Sequence, residues 1–227
     1  MILAVTGMQR ERRILAGPDV EVVVGGGDQP RLEGELERLA SEMRGIISIG
    51  IAGALAPGLR PGRWVVASAV SDGRTTLPTD PDWSRRLVAR LAGAERGVLL
   101  GVDAVAATAS QKAELRHTSN ALAVDMESHV VARVGRRHSL PFVAARVISD
   151  AAHRTLPRVA RVGMRADGGV DLPAVLRSLL LAPWQIPALI RTGLEAEKAF
   201  RALLRGHRLL GPGLVGPDVS QLPPDVI

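Results

Sequence analysis

Four stretches of this 227-residue chain place acid–base or sugar-binding residue types beside apolar runs. Arg146-Val147-Ile148-Ser149-Asp150 ends an apolar run on a carboxylate, and an aspartate there can serve as a general acid when its surroundings hold the proton. Val124-Asp125-Met126-Glu127-Ser128 sits where a strand meets a helix, and a carboxylate there can accept two hydrogen bonds from a sugar diol. Thr6-Gly7-Met8-Gln9-Arg10-Glu11 follows the first apolar run, and Glu11 can activate a water. The small residues from Ser48 through Ile51, Gly53 and Ala54 to Pro57, followed by Arg60-Pro61-Gly62, let a ligand approach the backbone. Each stretch also has an ordinary structural reading. Glu127 suits a helix N-cap or first turn, Asp150 a cap, Glu11 a solvated helix face beside Arg12 and Arg13, and the small residues a tight turn.

Hydropathy spacing supplies the scaffold. Strands are predicted at Met1 to Thr6, Val20 to Val24, Gly45 to Gly50, Arg63 to Val70, Gly97 to Val102, Leu122 to Val124 and Phe142 to Ile148. Helices are predicted at Gln9 to Leu15, Pro30 to Met43, Trp83 to Leu91, Ser110 to His117 and Glu127 to Arg137. Apolar strands alternating with helices imply an α/β protein, with a mainly parallel sheet covered on both faces. Ligands then gather beyond the carboxyl ends of the strands, which is where the acidic residues fall. After Asp150 the texture changes: His153 to Gly169 reads as a loop, and Leu172 to Leu210 as helix interrupted at Pro183 and Pro187. The tail from Gly211 reads as irregular. Residues 1–169 are expected to form the α/β domain and 170–227 a helical C-terminal extension.

Composition narrows the function classes. Without cysteine there is no disulfide, thiolate metal site or cysteine nucleophile. The five histidines show no metal-ligand spacing, and Gly25-Gly26-Gly27 is no dinucleotide fingerprint, so neither a metal nor an organic cofactor is expected. The net charge of +6 attracts anions, but two Phe, three Trp and no Tyr leave few rings for stacking bases, and no nucleic-acid partner is expected. No leader or membrane-spanning run is visible, which suits a cytoplasmic protein.

In order along the chain, Gly-Met-x-x-x-Glu, Gly-x-Ala-Gly-x-Leu-x-Pro, Val-Asp-Met-Glu-Ser and Arg-x-Ile-Ser-Asp resemble the motifs of the methylthioadenosine/adenosylhomocysteine nucleosidases and their nucleoside phosphorylase relatives. The similarity spans residues 1 to 152. Val170-Asp171-Leu172-Pro173, Leu176-Arg177-Ser178-Leu179 and Arg208-Leu209-Leu210-Gly211-Pro212-Gly213 resemble the hopanoid-associated phosphorylase branch, associated with removing adenine from adenosylhopane.

The resemblance implies a three-layer α/β/α fold around a mixed, mainly parallel twisted sheet, and an enzyme that cleaves an N-glycosidic bond. It places Asp150 as the acid that protonates the adenine leaving group at N7, and Glu11 as the carboxylate that positions or deprotonates the attacking water. Glu127 would bind the ribose hydroxyls and Met126 would lie against the sugar. Ser149 and Arg146 would support the acid, and Ile51 and Gly53 belong to the substrate-binding set. Val105 and Ala106 fall where relatives carry larger residues against the purine, so base stacking is expected to be weaker here.

Inorganic phosphate is an alternative acceptor to water. Phosphate-binding relatives carry Gly-Asp-Pro and an arginine after the first strand, where this chain has Gly7-Met8-Gln9-Arg10, and an Arg and a Ser where it has Ser48 and Ile51. The pattern favours water, with Arg10, Arg12 or Arg13 as a different route to phosphate. A lipid-linked nucleoside would call for peripheral contact with the inner face of a membrane. The apolar and basic residues between Leu172 and Leu210 suit that contact, or equally a cap packed on the sheet or on another subunit. A homo-oligomer is expected from the resemblance. A methylthioadenosine- or futalosine-type nucleosidase and a catalytically silent nucleoside-binding or membrane-surface scaffold are the competing readings.

Overall fold

The computed structural model describes residues 1–157, 169 and 182–217. The expectations for the Arg-, Pro- and Gly-rich stretch after residue 157, and the two motifs between residues 170 and 179, therefore lie outside the described residues. In chain order the elements are β1 (Ile2–Thr6), α1 (Gln9–Leu15), β2 (Val20–Val24), α2 (Gln29–Ala40), β3 (Ile46–Ala54), β4 (Trp64–Ser71), β5 (Thr76–Pro78), α3 (Pro81–Arg90), β6 (Glu95–Gly101), α4 (Ala109–Ser119), β7 (Ala123–Asp125), α5 (Ser128–Arg137), β8 (Phe142–Asp150) and α6 (Ile186–Leu210).

Local chemistry sets the ends of the helices. Asp28 and Asp80 cap α2 and α3 by accepting the backbone N–H of Arg31 (3.1 Å) and Trp83 (2.7 Å), each with a proline in the first turn. Thr108 and Gln111 form a reciprocal capping box at the start of α4. That helix stops at Asn120, whose φ of 54° is left-handed.

β1 lies between β2 and β3, parallel to both. β3 pairs parallel with β8, β8 antiparallel with β4, β4 parallel with β6, β6 parallel with β7, and β7 antiparallel with the end of β3. Those five strands close on themselves, and β5 extends β4 on its antiparallel side. The sheet is mixed and mainly parallel. Side chains alternate along β1: Leu3 and Val5 join a core with Leu32 and Leu36 of α2 and Val130, Val131 and Val134 of α5. Ile2 and Ala4 join the opposite core, with Trp83 and Leu87 of α3 and Ala199, Ala202 and Leu203 of α6. The result is the three-layer α/β/α arrangement.

Three expectations need correction. β3 does not stop at Gly50 but runs to Ala54, so Ile51 and Gly53 lie in a strand rather than a turn. Its extra residues stay extended because they pair with β8, Ile51 opposite Val147 and Gly53 opposite Asp150, across an irregularity at Ala52/Gly53. β8 likewise carries Ser149 and Asp150 as its last residues instead of ending before them. Finally, Pro187 does not interrupt a helix, whereas the residues just before Ala182 lie outside the described ones. Pro183 begins a short 3-10 turn and Pro187 occupies the first turn of α6, where a missing N–H costs nothing.

The second half of α6 docks on the sheet through Ala199, Phe200, Leu203, Gly206 and Leu210. The chain beyond it makes a 3-10 turn at Pro212–Val215, where the Leu214 carbonyl accepts the indole N–H of Trp83 at 3.0 Å. Trp184 of the preceding 3-10 turn and Ile190 and Leu194 of the first half of α6 are exposed. No described helix is long and apolar enough to cross a membrane. Gly206 sits where a Cβ would come 2.9 Å from Cε2 of Trp64, so the docking needs a residue without one. Gly206→Ala would ordinarily stabilise a helix by roughly 1 kcal/mol, but overpacking here costs about 1–3 kcal/mol and wins. The melting temperature of that variant is expected to fall by several degrees; a rise would mean that α6 is not packed tightly on Trp64.

Candidate active site

Arg146 of β8 is fully buried. Its Nε lies 2.7 Å from Asp125 Oδ2, and its Nη2 donates to Glu127 Oε2 (3.1 Å) and to Ser48 Oγ of β3 (2.5 Å). Isolated burial of a guanidinium would cost several kcal/mol, so these carboxylates are what make the position tenable. Burial works to lower the Arg146 pKa, but Asp125, Glu127 and Glu11 outweigh it and hold it above the ordinary value.

The Asp-Met-Glu stretch divides its labour. Asp125 Oδ1 accepts the N–H groups of Glu127 (3.2 Å) and Ser128 (2.9 Å), and its Oδ2 accepts from the Ser128 hydroxyl. Asp125 therefore satisfies the start of α5 as a capping carboxylate does. Glu127 occupies the N-cap position but makes no side-chain cap, which leaves its carboxylate turned to Arg146 and the cavity. Burial, with Asp125 and Glu11 adding to it against the pull of Arg146, pushes its pKa up to about 7.

Glu11 is not a solvated helix residue. Its carboxylate is buried and turns back to the start of α1. Oε2 accepts the N–H groups of Gly7 and Met8 (2.8 Å each), and Oε1 accepts that of Ile51 (2.6 Å). Burial raises its pKa, opposed by Arg146 and these amides. The glycines serve the acids themselves. A Cβ on Gly50 would lie 2.8 Å from Arg146 Nη1 and clash with Glu11, and one on Gly25 would lie 2.7 Å from Cγ of Glu127.

Asp150 is the third acid. Ser149 Oγ donates to its Oδ1 at 2.6 Å, with the Ala52 carbonyl 3.1 Å from the same hydroxyl. Its Oδ2 pairs with the ammonium of Lys112, a fully buried residue of α4 that the motifs do not include. The signal that points to it is compositional: Lys112 and Lys198 are the only lysines among 29 basic residues.

Glu11, Glu127 and Asp150 all line one cavity of about 240 Å³. Met126, Ser149, Ile51, Gly53, Val105 and Ala106 line it too, while Arg146 stands behind Glu127 rather than in the wall. The otherwise apolar wall is completed by Leu156 and by Thr192 and Ala196 of α6, contributions that no spacing in the sequence marks. Arg10 points away: it lies over the Phe200 ring (4.1 Å) and pairs with Glu197 (2.6 Å). Arg12 lines a separate groove with Asp28 and Glu35. His129, two residues after Glu127, is buried, and its Nε2 lies 3.1 Å from Asp103 Oδ1. Among the described residues no cluster of His, Asp and Glu is arranged to hold a metal ion.

The raised Glu127 has a measurable consequence. A carboxyl whose pKa rises on folding, here from 4.5 to about 7, stabilises the fold fully only below its unfolded value. That contribution is lost as pH climbs through about 7. The melting temperature is therefore expected to fall between about pH 5 and pH 7 through this linkage, and less steeply in Glu127→Gln. An unchanged slope in the variant would remove Glu127 as the titrating group.

The comparisons agree with this architecture. The model of the phosphorylase superfamily matches residues 34–168. The 5′-methylthioadenosine/S-adenosylhomocysteine nucleosidase of Neisseria meningitidis, solved with methylthio-immucillin-A, superposes with a TM-score of 0.65 at 15% identity, covering 91% of this chain and 96% of that one. Futalosine hydrolase of Helicobacter pylori gives 0.65 at 15% identity, covering 92% and 96%. The nucleosidase of S. pneumoniae with a transition-state inhibitor gives 0.62 at 16% identity, covering 92% and 99%. These likenesses establish the fold, and the match over more than half its length establishes the kinship: the chain belongs to the phosphorylase superfamily.

Proposed function

We propose that this protein is an enzyme that cleaves the N-glycosidic bond of an adenine nucleoside, with water as acceptor. The observation that carries the proposal is the meeting of Glu11, Glu127 and Asp150, far apart in sequence, around one cavity. Membership of the phosphorylase superfamily and the nucleosidases among its structural neighbours support it.

The bond breaks as positive charge builds on the ribose, an oxocarbenium-like course shared with glycoside hydrolysis. Asp150 gives a proton to the base, at N7, as the glycosidic electron pair moves onto it. Glu127 accepts hydrogen bonds from the ribose hydroxyls, with Met126 beside the sugar. The buried carboxylates of Glu11 and Glu127 stabilise the developing cation electrostatically. A water attacks the anomeric carbon and its proton passes to Glu11. Water is favoured over phosphate because no Lys or Arg is among the described residues lining the cavity, whereas a bound phosphate wants several cationic or N–H donors. Of the alternative donors Arg10, Arg12 and Arg13, the first pairs with Glu197, the second lines a separate groove, and none is among the residues lining the cavity.

For the substrate we propose adenosylhopane, converted to ribosylhopane and adenine. An apolar 5′ substituent suits the Leu156, Thr192 and Ala196 side of the cavity. It also suits the exposed Trp184, Ile186, Ile190 and Leu194 on the same stretch of chain, which would make the peripheral membrane contact. Small Val105 and Ala106 beside the cavity leave room where a large ring would stack on the base. A homo-oligomer stays part of the proposal. Methylthioadenosine and futalosine, the substrates suggested by the neighbours' names, are the alternatives a substrate panel separates.

Asp150→Asn is expected to lower kcat for adenine release by about 10²–10⁴-fold with little change in KM; near-normal turnover would remove Asp150 from the acid role. Adenosylhopane in detergent should yield ribosylhopane at the same rate with and without phosphate. Accumulation of a ribose 1-phosphate end only when phosphate is present would reverse the choice of acceptor.

A further inference from the structure

Among the described residues, Lys112 is the one buried side chain of α4, a helix that otherwise faces outward. Packing would be served as well by a leucine, without the cost of drying an ammonium. All three N–H donors of its Nζ are used: one on Asp150 Oδ2, the others on the carbonyls of Ala151 and Arg154 (3.1 Å each). Those carbonyls belong to the loop that follows β8, and that loop is itself tied to α4. Leu156 N–H donates to the Ala107 carbonyl (2.8 Å), and Ala109 N–H to Thr155 Oγ1 (3.1 Å). Lys112 thus pins the acid, the loop and the wall of the cavity to one point.

We propose that Lys112 is a positioning residue that holds the Asp150 carboxyl and supplies the proton that carboxyl hands to the departing base. This rests on the proposed N-glycosidic cleavage. In the resting pair the proton is on Nζ and Asp150 is a carboxylate. The proton passes from Nζ to the carboxyl and on to the base nitrogen as the glycosidic electron pair moves onto the base. Lys112 is left as a neutral amine that still donates two N–H bonds to the loop carbonyls, and solvent restores its proton once the base has gone. Among the described residues, the charged groups nearest the pair do not take this part. The Arg154 guanidinium is held by Glu195 of α6 at 3.2 Å, and guanidinium groups do not give up protons. Across the cavity, Arg146 is bound by Asp125 and Glu127, and Glu11 by backbone amides.

The test compares wild type, Lys112→Met and Lys112→Arg on an adenine nucleoside that wild type turns over and on 4-nitrophenyl riboside, whose leaving group departs as an anion without a proton. For Lys112→Met, adenine release is expected to fall ~100-fold at about pH 8 and only ~10-fold at about pH 5.5, where solvent protons can replace the one Lys112 supplies. The loss on the nitrophenyl substrate should be at least ~10-fold smaller. Lys112→Arg, which keeps the charge but not a transferable proton, should recover the melting temperature and not the adenine release at about pH 8. Equal losses on both substrates at every pH would reduce Lys112 to a packing residue, and full adenine release by Lys112→Arg would eliminate the proton transfer. Failure of wild type to release adenine from any nucleoside would instead overturn the proposed cleavage itself.

Discussion

A buried guanidinium is the constraint around which the rest of this molecule is arranged. Arg146 has no exposure, and a cation in that position is stable only where carboxylates meet it with good geometry. Asp125 and Glu127 meet it from the β7–α5 junction, Ser48 from β3, and Glu11 adds its field from α1. Four separate segments are thereby held to one point by charge. More acid than Arg146 can neutralise is then left at the edge of the cavity, with Glu127 and Glu11 both held above their ordinary pKa values by burial. Carboxyls whose ionisation is resisted in the resting site ionise more readily once a sugar beside them becomes cationic.

The backbone gives way to the acids. Gly50 and Gly25 occupy positions where a Cβ would press on Arg146 or Glu127, so the two charged side chains approach the strands as closely as ligands do elsewhere. Closure of β3, β8, β4, β6 and β7 on themselves brings the end of β8, with Asp150, beside the end of β3, while β7 delivers Glu127 against the same edge. α6 then covers one side with Thr192 and Ala196 and is clasped there by Arg10 between Glu197 and Phe200.

Much of this was legible in the residues, and the gaps have physical causes. β1, α1 and β2 came out within a residue of their predicted ends, because each apolar run is stopped by glycine or alanine. The stretch holding Ile51 and Gly53 read as a turn because its glycines and alanines lack strand preference, yet pairing with β8 keeps it extended. The ring closure left no trace, since antiparallel contact between β3 and β7 involves two residues on each strand. The acids stood out because each follows an apolar run. Lys112 did not, because a lone lysine in a polar helix looks solvated until the carboxylate opposite it is seen. Pro187 read as a break because proline, which ends a helix from within, also fits the first turn of one.

The most direct test of the central claim is a crystal structure of this protein with methylthio-immucillin-A, the nucleoside analogue bound in the neisserial neighbour. The analogue should occupy the cavity behind Met126, with its sugar-like ring against Glu127, its base against Asp150 and Glu11 facing the position of the attacking water. Binding elsewhere, or in the cavity with any one of the three carboxylates turned away from the analogue, would contradict it.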